Sequence, residues 1–119
     1  MKYMVMMFGS AAAMGEQKSP EWITEMIGFM GRLHQELSDS GELVVAEGLQ
    51  DGGAAKLVTL TDGVPVTTDG PYAEAKESLI GFWIVDVADE ARVLELAGRI
   101  VEYSGVVEVR PLGVAPEPA

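Results

Sequence analysis

The chain has 119 residues, 48% of them hydrophobic and 23% charged, with 8 basic against 19 acidic side chains, a net charge of −11, no cysteine and one histidine. This is the balance of one folded domain rather than a disordered or fibrous chain. It excludes disulfides, thiolate metal sites and cysteine nucleophiles, would leave a zinc site to carboxylates, and lacks the cationic surface needed to hold nucleic acid or an anionic membrane.

The apolar start Met1-Lys2-Tyr3-Met4-Val5-Met6-Met7-Phe8 is too short for a signal peptide or a spanning helix, so a cytoplasmic protein of bacterial type is expected. Tyr3 to Phe8 reads as a strand whose apolar residues do not alternate with polar ones, which predicts burial on both faces. After a small-residue loop, Ser19-Pro20-Glu21 starts a helix, with Ser as cap, Pro at the first helical position and an acid in the first turn. Ile23, Met26, Ile27, Met30, Leu33 and Leu37 form its apolar stripe, and Gly41 ends it.

Leu43 to Leu49 reads as the second strand. Lys56 to Leu60 and Val64 to Thr68 form a hairpin about Asp62-Gly63. Leu79-Ile80-Gly81-Phe82-Trp83-Ile84-Val85 is the most apolar run and the most buried strand expected. Asp86 or Asp89 caps a second helix over roughly 89 to 102, with Val93, Leu94, Ala97, Ile100 and Val101 facing inward. Val107 to Arg110 alternates as a last strand with one wet face, and residues 114–119 are expected to be a flexible tail of a single domain spanning 1–113.

This order predicts an α+β, ferredoxin-like split βαβ sheet with two helices on one face and an inserted hairpin. Two helices cover only one face, while the strands at 3–8 and 79–85 are apolar on both. The expected solution is a homodimer that pairs sheet to sheet.

Residues Asp69-Gly70-Pro71-Tyr72-Ala73-Glu74-Ala75-Lys76-Glu77 resemble the motif of the DGPF-domain proteins of the YCII-related family, with Tyr72 where Phe is usual. Met1-Lys2-Tyr3-Met4, Gly41-Glu42-Leu43-Val44, Glu47-Gly48-Leu49, Gly81-Phe82 and Val107-Glu108-Val109-Arg110-Pro111 follow in the family's order, so the likeness spans almost the whole chain. The resemblance implies a dimeric α/β barrel without an established reaction, and an association with sigma factors that makes a regulatory partner of that kind an alternative to a small-molecule ligand. Some relatives in the wider family are thought to use a His and an Asp. Asp69 fits the motif aspartate, whereas the family's first-helix histidine falls nearer Met30 than His34, so His34 inherits no catalytic role.

Asp69 is either a turn residue, its carboxylate accepting backbone N–H groups beside a glycine with positive φ, or a base at the mouth of a pocket. Glu74 and Lys76 share one face of an extended segment and Glu77 takes the other, whereas a helical turn would align Glu74 with Glu77. Their plain roles are a solvated loop or an inter-subunit ion pair; in a cleft Lys76 would hold an anionic group and Glu74 would handle a proton. His34, at the border of the helix stripe, is a core-edge residue or a proton-transfer group. Tyr72 and Trp83 are packing residues or the walls of a ligand pocket. The candidate catalytic set is thus Asp69, Glu74 and Lys76, and the pocket set Tyr72, Glu77, Trp83 and His34, with no metal and no cofactor called for. The leading expectation is a small-molecule-binding protein or a cofactor-independent acid–base enzyme with its pocket near the motif; a motif that only closes the dimer is the structural alternative.

Overall fold

Two apolar helix stripes and one apolar strand face need each other, and the sheet is where they meet. The computed structural model describes residues 1–9, 18–50, 52–70 and 78–113. Its elements in chain order are β1 (Lys2–Gly9), α1 (Pro20–Ser40), β2 (Leu43–Gly48), a 3₁₀ turn (Gly52–Ala54), β3 (Lys56–Thr61), β4 (Val64–Asp69), β5 (Ser78–Asp86), α2 (Glu90–Ser104) and β6 (Val107–Pro111). The main sheet runs β2-β5-β1-β6, every neighbouring pair antiparallel, and β3 with β4 forms a separate two-stranded sheet.

The helix boundaries follow the local chemistry. Ser19 Oγ accepts the Trp22 N–H at 3.1 Å and so satisfies one of the donors a helix start leaves free. Gly41, at φ +80°, ends α1 in the left-handed conformation, and the Glu42 N–H reaches back to the Leu37 carbonyl at 2.9 Å. For α2 the structure selects Asp89 as the cap, its Oδ1 accepting the Arg92 N–H at 3.0 Å. At the β3–β4 turn Asp62 (φ 49°) and Gly63 (φ 78°) both have positive φ, the pattern whose twist matches a two-residue hairpin.

The register defines two faces. On one, the rows Pro111–Tyr3–Val85–Leu43, Val109–Val5–Trp83–Ala46 and Val107–Met7–Gly81–Gly48 lie across the sheet. Tyr3, Val5, Trp83 and Val85 are buried there with Leu33 and Leu37 of α1 and Val93, Leu96, Ala97 and Ile100 of α2. Two positions differ from the expected stripes: Ile27 and Leu94 are exposed, while Phe29 and Leu96 pack inward. Leu96 sits in the 93, 96, 97, 100 series that a 3.6-residue period places on one face, and Leu94 lies about 100° away from Val93.

The other face carries the rows Arg110–Met4–Ile84–Val45 and Glu108–Met6–Phe82–Glu47. Met4, Met6, Phe82, Ile84 and Val45 are only half-buried, and no described helix lies over them. The β3–β4 hairpin makes no extensive contact with the main sheet or either helix and leaves Val58 63% and Leu60 73% exposed.

Candidate functional site

The third row of the helix-covered face ends in two glycines, Gly81 on β5 and Gly48 on β2. Two adjacent positions under α1 therefore present no side chain. Directly above, α1 carries another glycine, Gly31. A Cβ built at Gly48 or at Gly31 would meet nothing within 4 Å, whereas one at Gly81 would come within 2.6 Å of Met7 Cε. The Met7 side chain fills the space over Gly81, whereas Gly31 and Gly48 border a cavity of about 480 Å³, within the size range of small-molecule sites.

Each wall comes from a different element. The sheet contributes Met7, Ala46, Ile80 and Trp83; α1 contributes Met26, Met30 and His34; the last turn of α2 contributes Tyr103 and Ser104. Glu47 and Phe82 also border the cavity, but the register puts their side chains in the rows of the opposite face, so they border it through the main chain. The interior is therefore apolar, with no carboxylate, lysine or arginine side chain among its described lining.

Two polar groups stand out. The His34 ring lies over Trp83, with ring centroids 6.4 Å apart and planes inclined at 52°. Trp83 is 3% exposed, and its Nε1–H has no acceptor among the described residues, although a buried indole N–H ordinarily finds one. Tyr103 is held by a stacked Phe29 at 4.7 Å and a tilted Trp22 at 5.7 Å between centroids. This aromatic cluster ties the first half of α1 to the end of α2 and fixes the far wall.

Of the residues singled out from sequence, His34 and Trp83 come together at this cavity. Asp69 does not line it in the single chain. It ends β4 opposite Lys56, whose Nζ donates to Asp69 Oδ1 at 2.6 Å, and its side chain is 87% exposed. The expected turn geometry is also different: Gly70 is absent from the positive-φ residues, and its need is for space, because its N–H donates to the Ala55 carbonyl at 2.9 Å and a Cβ there would lie 3.1 Å from Ala55 Cβ. Tyr72, Glu74, Lys76 and Glu77 lie outside the described residues. Gly31, Gly48 and Gly81 were not singled out by sequence reasoning; the available signal was a glycine in the interior of a long amphipathic helix, where it is unfavourable.

The strongest electrostatic site is at the other end of the sheet. Arg92 Nε and NH2 donate to the two Glu42 oxygens at 3.0 and 2.9 Å, and Ser40 Oγ donates to Glu42 Oε1 at 2.7 Å. Hydrogen bonds from Arg92 and then Ser40 hold the Glu42 carboxyl down at about 2, and the same pair raises Arg92. Glu42 follows the end of α1 and Arg92 lies on α2, so this forked ion pair joins the two helices. It does not line the cavity under α1 and reads as structural.

The sheet order, the antiparallel pairing and the two helices on one face make this an α+β protein compatible with the ferredoxin-like fold. The chain belongs to the YCII-related domain family, whose model matches residues 1–114. It is 33% identical over 79 residues to an uncharacterized protein of Rhizobium meliloti (strain 1021), a match spanning 64% of this chain and 64%, just under two thirds, of that relative. Among the described residues no helix is long and apolar enough to cross a membrane.

Proposed function

We propose that the protein binds a small apolar molecule in the cavity between α1 and the sheet. The observation that carries this is the cavity's construction from glycines. Gly31 is unfavourable in a helix interior by about 1 kcal/mol relative to alanine, and Gly48 leaves unfilled space where any side chain would fit. Both glycines are exposed, so they keep the mouth of the cavity open where a side chain would narrow it.

The working unit is a homodimer joined through the half-buried sheet face. Its support is the row of Met4, Met6, Phe82 and Ile84 that no described element covers, together with the apolar residues left exposed on the β3–β4 hairpin. If the bound molecule is also transformed, His34 is a proton-transfer candidate at the cavity, and Asp69, Glu74 and Lys76 of the motif are the further acid–base candidates, with Tyr72 and Glu77 as added wall. The support for the motif's involvement is proximity in the chain: Ser78, which follows it, starts β5 two residues before Ile80 of the cavity wall.

A thermal-shift screen of uncharged small molecules tests the reading. A ligand at one hundred times its Kd stabilises by about 2.7 kcal/mol, a shift of several degrees. The same compound should lose its effect on Gly48→Leu, whose side chain enters the cavity. Equal shifts on both proteins would place binding elsewhere.

A further inference from the structure

Methionine and histidine are metal donors as well as wall. We propose that the cavity holds a soft monovalent metal ion of the copper(I) type, on the thioethers of Met7 and Met30 and the imidazole of His34. This goes beyond the binding of an apolar molecule and does not depend on it.

The placement of the donors carries the proposal. Met26, Met30 and His34 line the cavity at intervals of four residues along α1, so each neighbours the next on one helix face. Met26 and His34 are two turns apart, about 12 Å along the axis, which leaves Met30 as the thioether that can share an ion with His34. From the sheet, Met7 lines the same cavity, and its terminal methyl lies over Gly81, 2.6 Å from where a Cβ would stand. The His34 ring lies over Trp83. Gly81 and Trp83 are two residues apart on one face of β5, a step of about 7 Å, and the unbranched, freely rotating methionine side chains can close that gap around one ion.

The chemistry of the set then selects the metal. Thioethers are soft donors that favour copper(I), and imidazole binds copper as well, whereas magnesium, calcium and manganese need oxygen ligands. The interior offers no carboxylate side chain, because Glu47 borders it through the main chain. Charge acts in the same direction. No lysine or arginine side chain in the described lining opposes a cation, and the chain carries −11, a field that draws cations towards the open mouth. An ion held by three direct ligands is not left as an unpaired charge in apolar surroundings.

Silver(I), which shares the softness of copper(I) and does not change oxidation state in air, is the probe. The chain has 7 methionines, so protein labelled with ¹³C at the methionine methyls gives few resonances, each assigned from a Met→Leu variant. Titration with silver nitrate in chloride-free buffer should move the Met7 and Met30 methyls and the His34 ring, saturating at one equivalent, and leave Met4 and Met6 of the opposite face in place. Met30→Leu, Met7→Leu and His34→Gln should each weaken binding by about tenfold or more, Met26→Leu by less, and Met6→Leu not at all. Leucine keeps the apolar volume, so a thioether that serves only as wall would leave affinity unchanged in Met7→Leu and Met30→Leu, and that result overturns the proposal. So do shifts spread equally over Met4 and Met6, or tighter binding of zinc(II) than of silver(I). Failure of silver(I) to bind removes the metal site alone; the apolar-ligand reading stands or falls separately on the thermal shift that Gly48→Leu should abolish.

Discussion

Gly31 occupies the middle of a 21-residue helix, a position where helix propensity and cavity shape make opposite demands. Alanine there would raise stability by about 0.5–1 kcal/mol through propensity, which for a chain of this size is a rise of about 2–5 °C in Tm. If the glycine is kept for the cavity, Gly31→Ala should melt higher and bind an apolar probe more weakly, and differential scanning fluorimetry with and without probe reads both. The Glu42 carboxylate makes a separate prediction. Its folded pKa lies at about 2, below its ordinary value of 4.5, so the stabilisation from Arg92 and Ser40 is complete above about pH 4.5 and is lost as pH falls towards 2. Glu42→Gln should cost about 1–2 kcal/mol at neutral pH, kept modest because the pair still touches water. It should also flatten the acid limb of a stability–pH curve measured by urea titration between pH 5 and 3.

At the scale of elements, the caps and the hairpin behave differently. Gly41 is required by its positive φ, and Gly41→Ala should destabilise by about 1 kcal/mol in chemical denaturation without touching the cavity. The β3–β4 hairpin has a well-formed turn, but a two-stranded ribbon alone in water is marginal, and its exposed Val58 and Leu60 indicate a surface shaped for contact. Replacing both with lysine should weaken the proposed dimer at least tenfold in sedimentation equilibrium while leaving the urea midpoint of the main sheet nearly unchanged. A wild-type chain that sediments as a monomer at tens of micromolar would remove the dimer and the hairpin's role together.

The whole molecule is thin, 52 × 48 × 19 Å, with a radius of gyration of 16.8 Å, where about 13 Å is usual for a compact domain of this size. One layer of helices on one sheet, with a hairpin held away from it, accounts for that shape. A second copy on the open face would bury Met4, Met6, Phe82 and Ile84. Most of the architecture was legible because it is written in short-range terms: Ser19 and Pro20 before an apolar period, Gly41 after it, Asp62-Gly63 between two strands, and the uninterrupted apolar run at 79–85. Ile27 and Leu94 depart from the expected stripes because the helix face that meets the sheet is set by packing and not by the number of apolar residues along it.

The site was legible only in part. Trp83 and His34 could be marked as candidates from residue type and position, yet Asp69, the most prominent residue of the motif, pairs with Lys56 on an exposed hairpin in the single chain. Sequence by itself determined the elements, their ends, the family and the two-faced apolarity of the central strands, because capping, periodicity and turn chemistry act within a few residues. Tertiary structure decided where volume is missing. Gly48 and Gly81 are 33 residues apart in the chain and become neighbours only through the β2–β5 register, and Gly31 joins them only when α1 lies across that row. A cavity is a property of what separate segments leave between them at one place, and no local pattern encodes that coincidence.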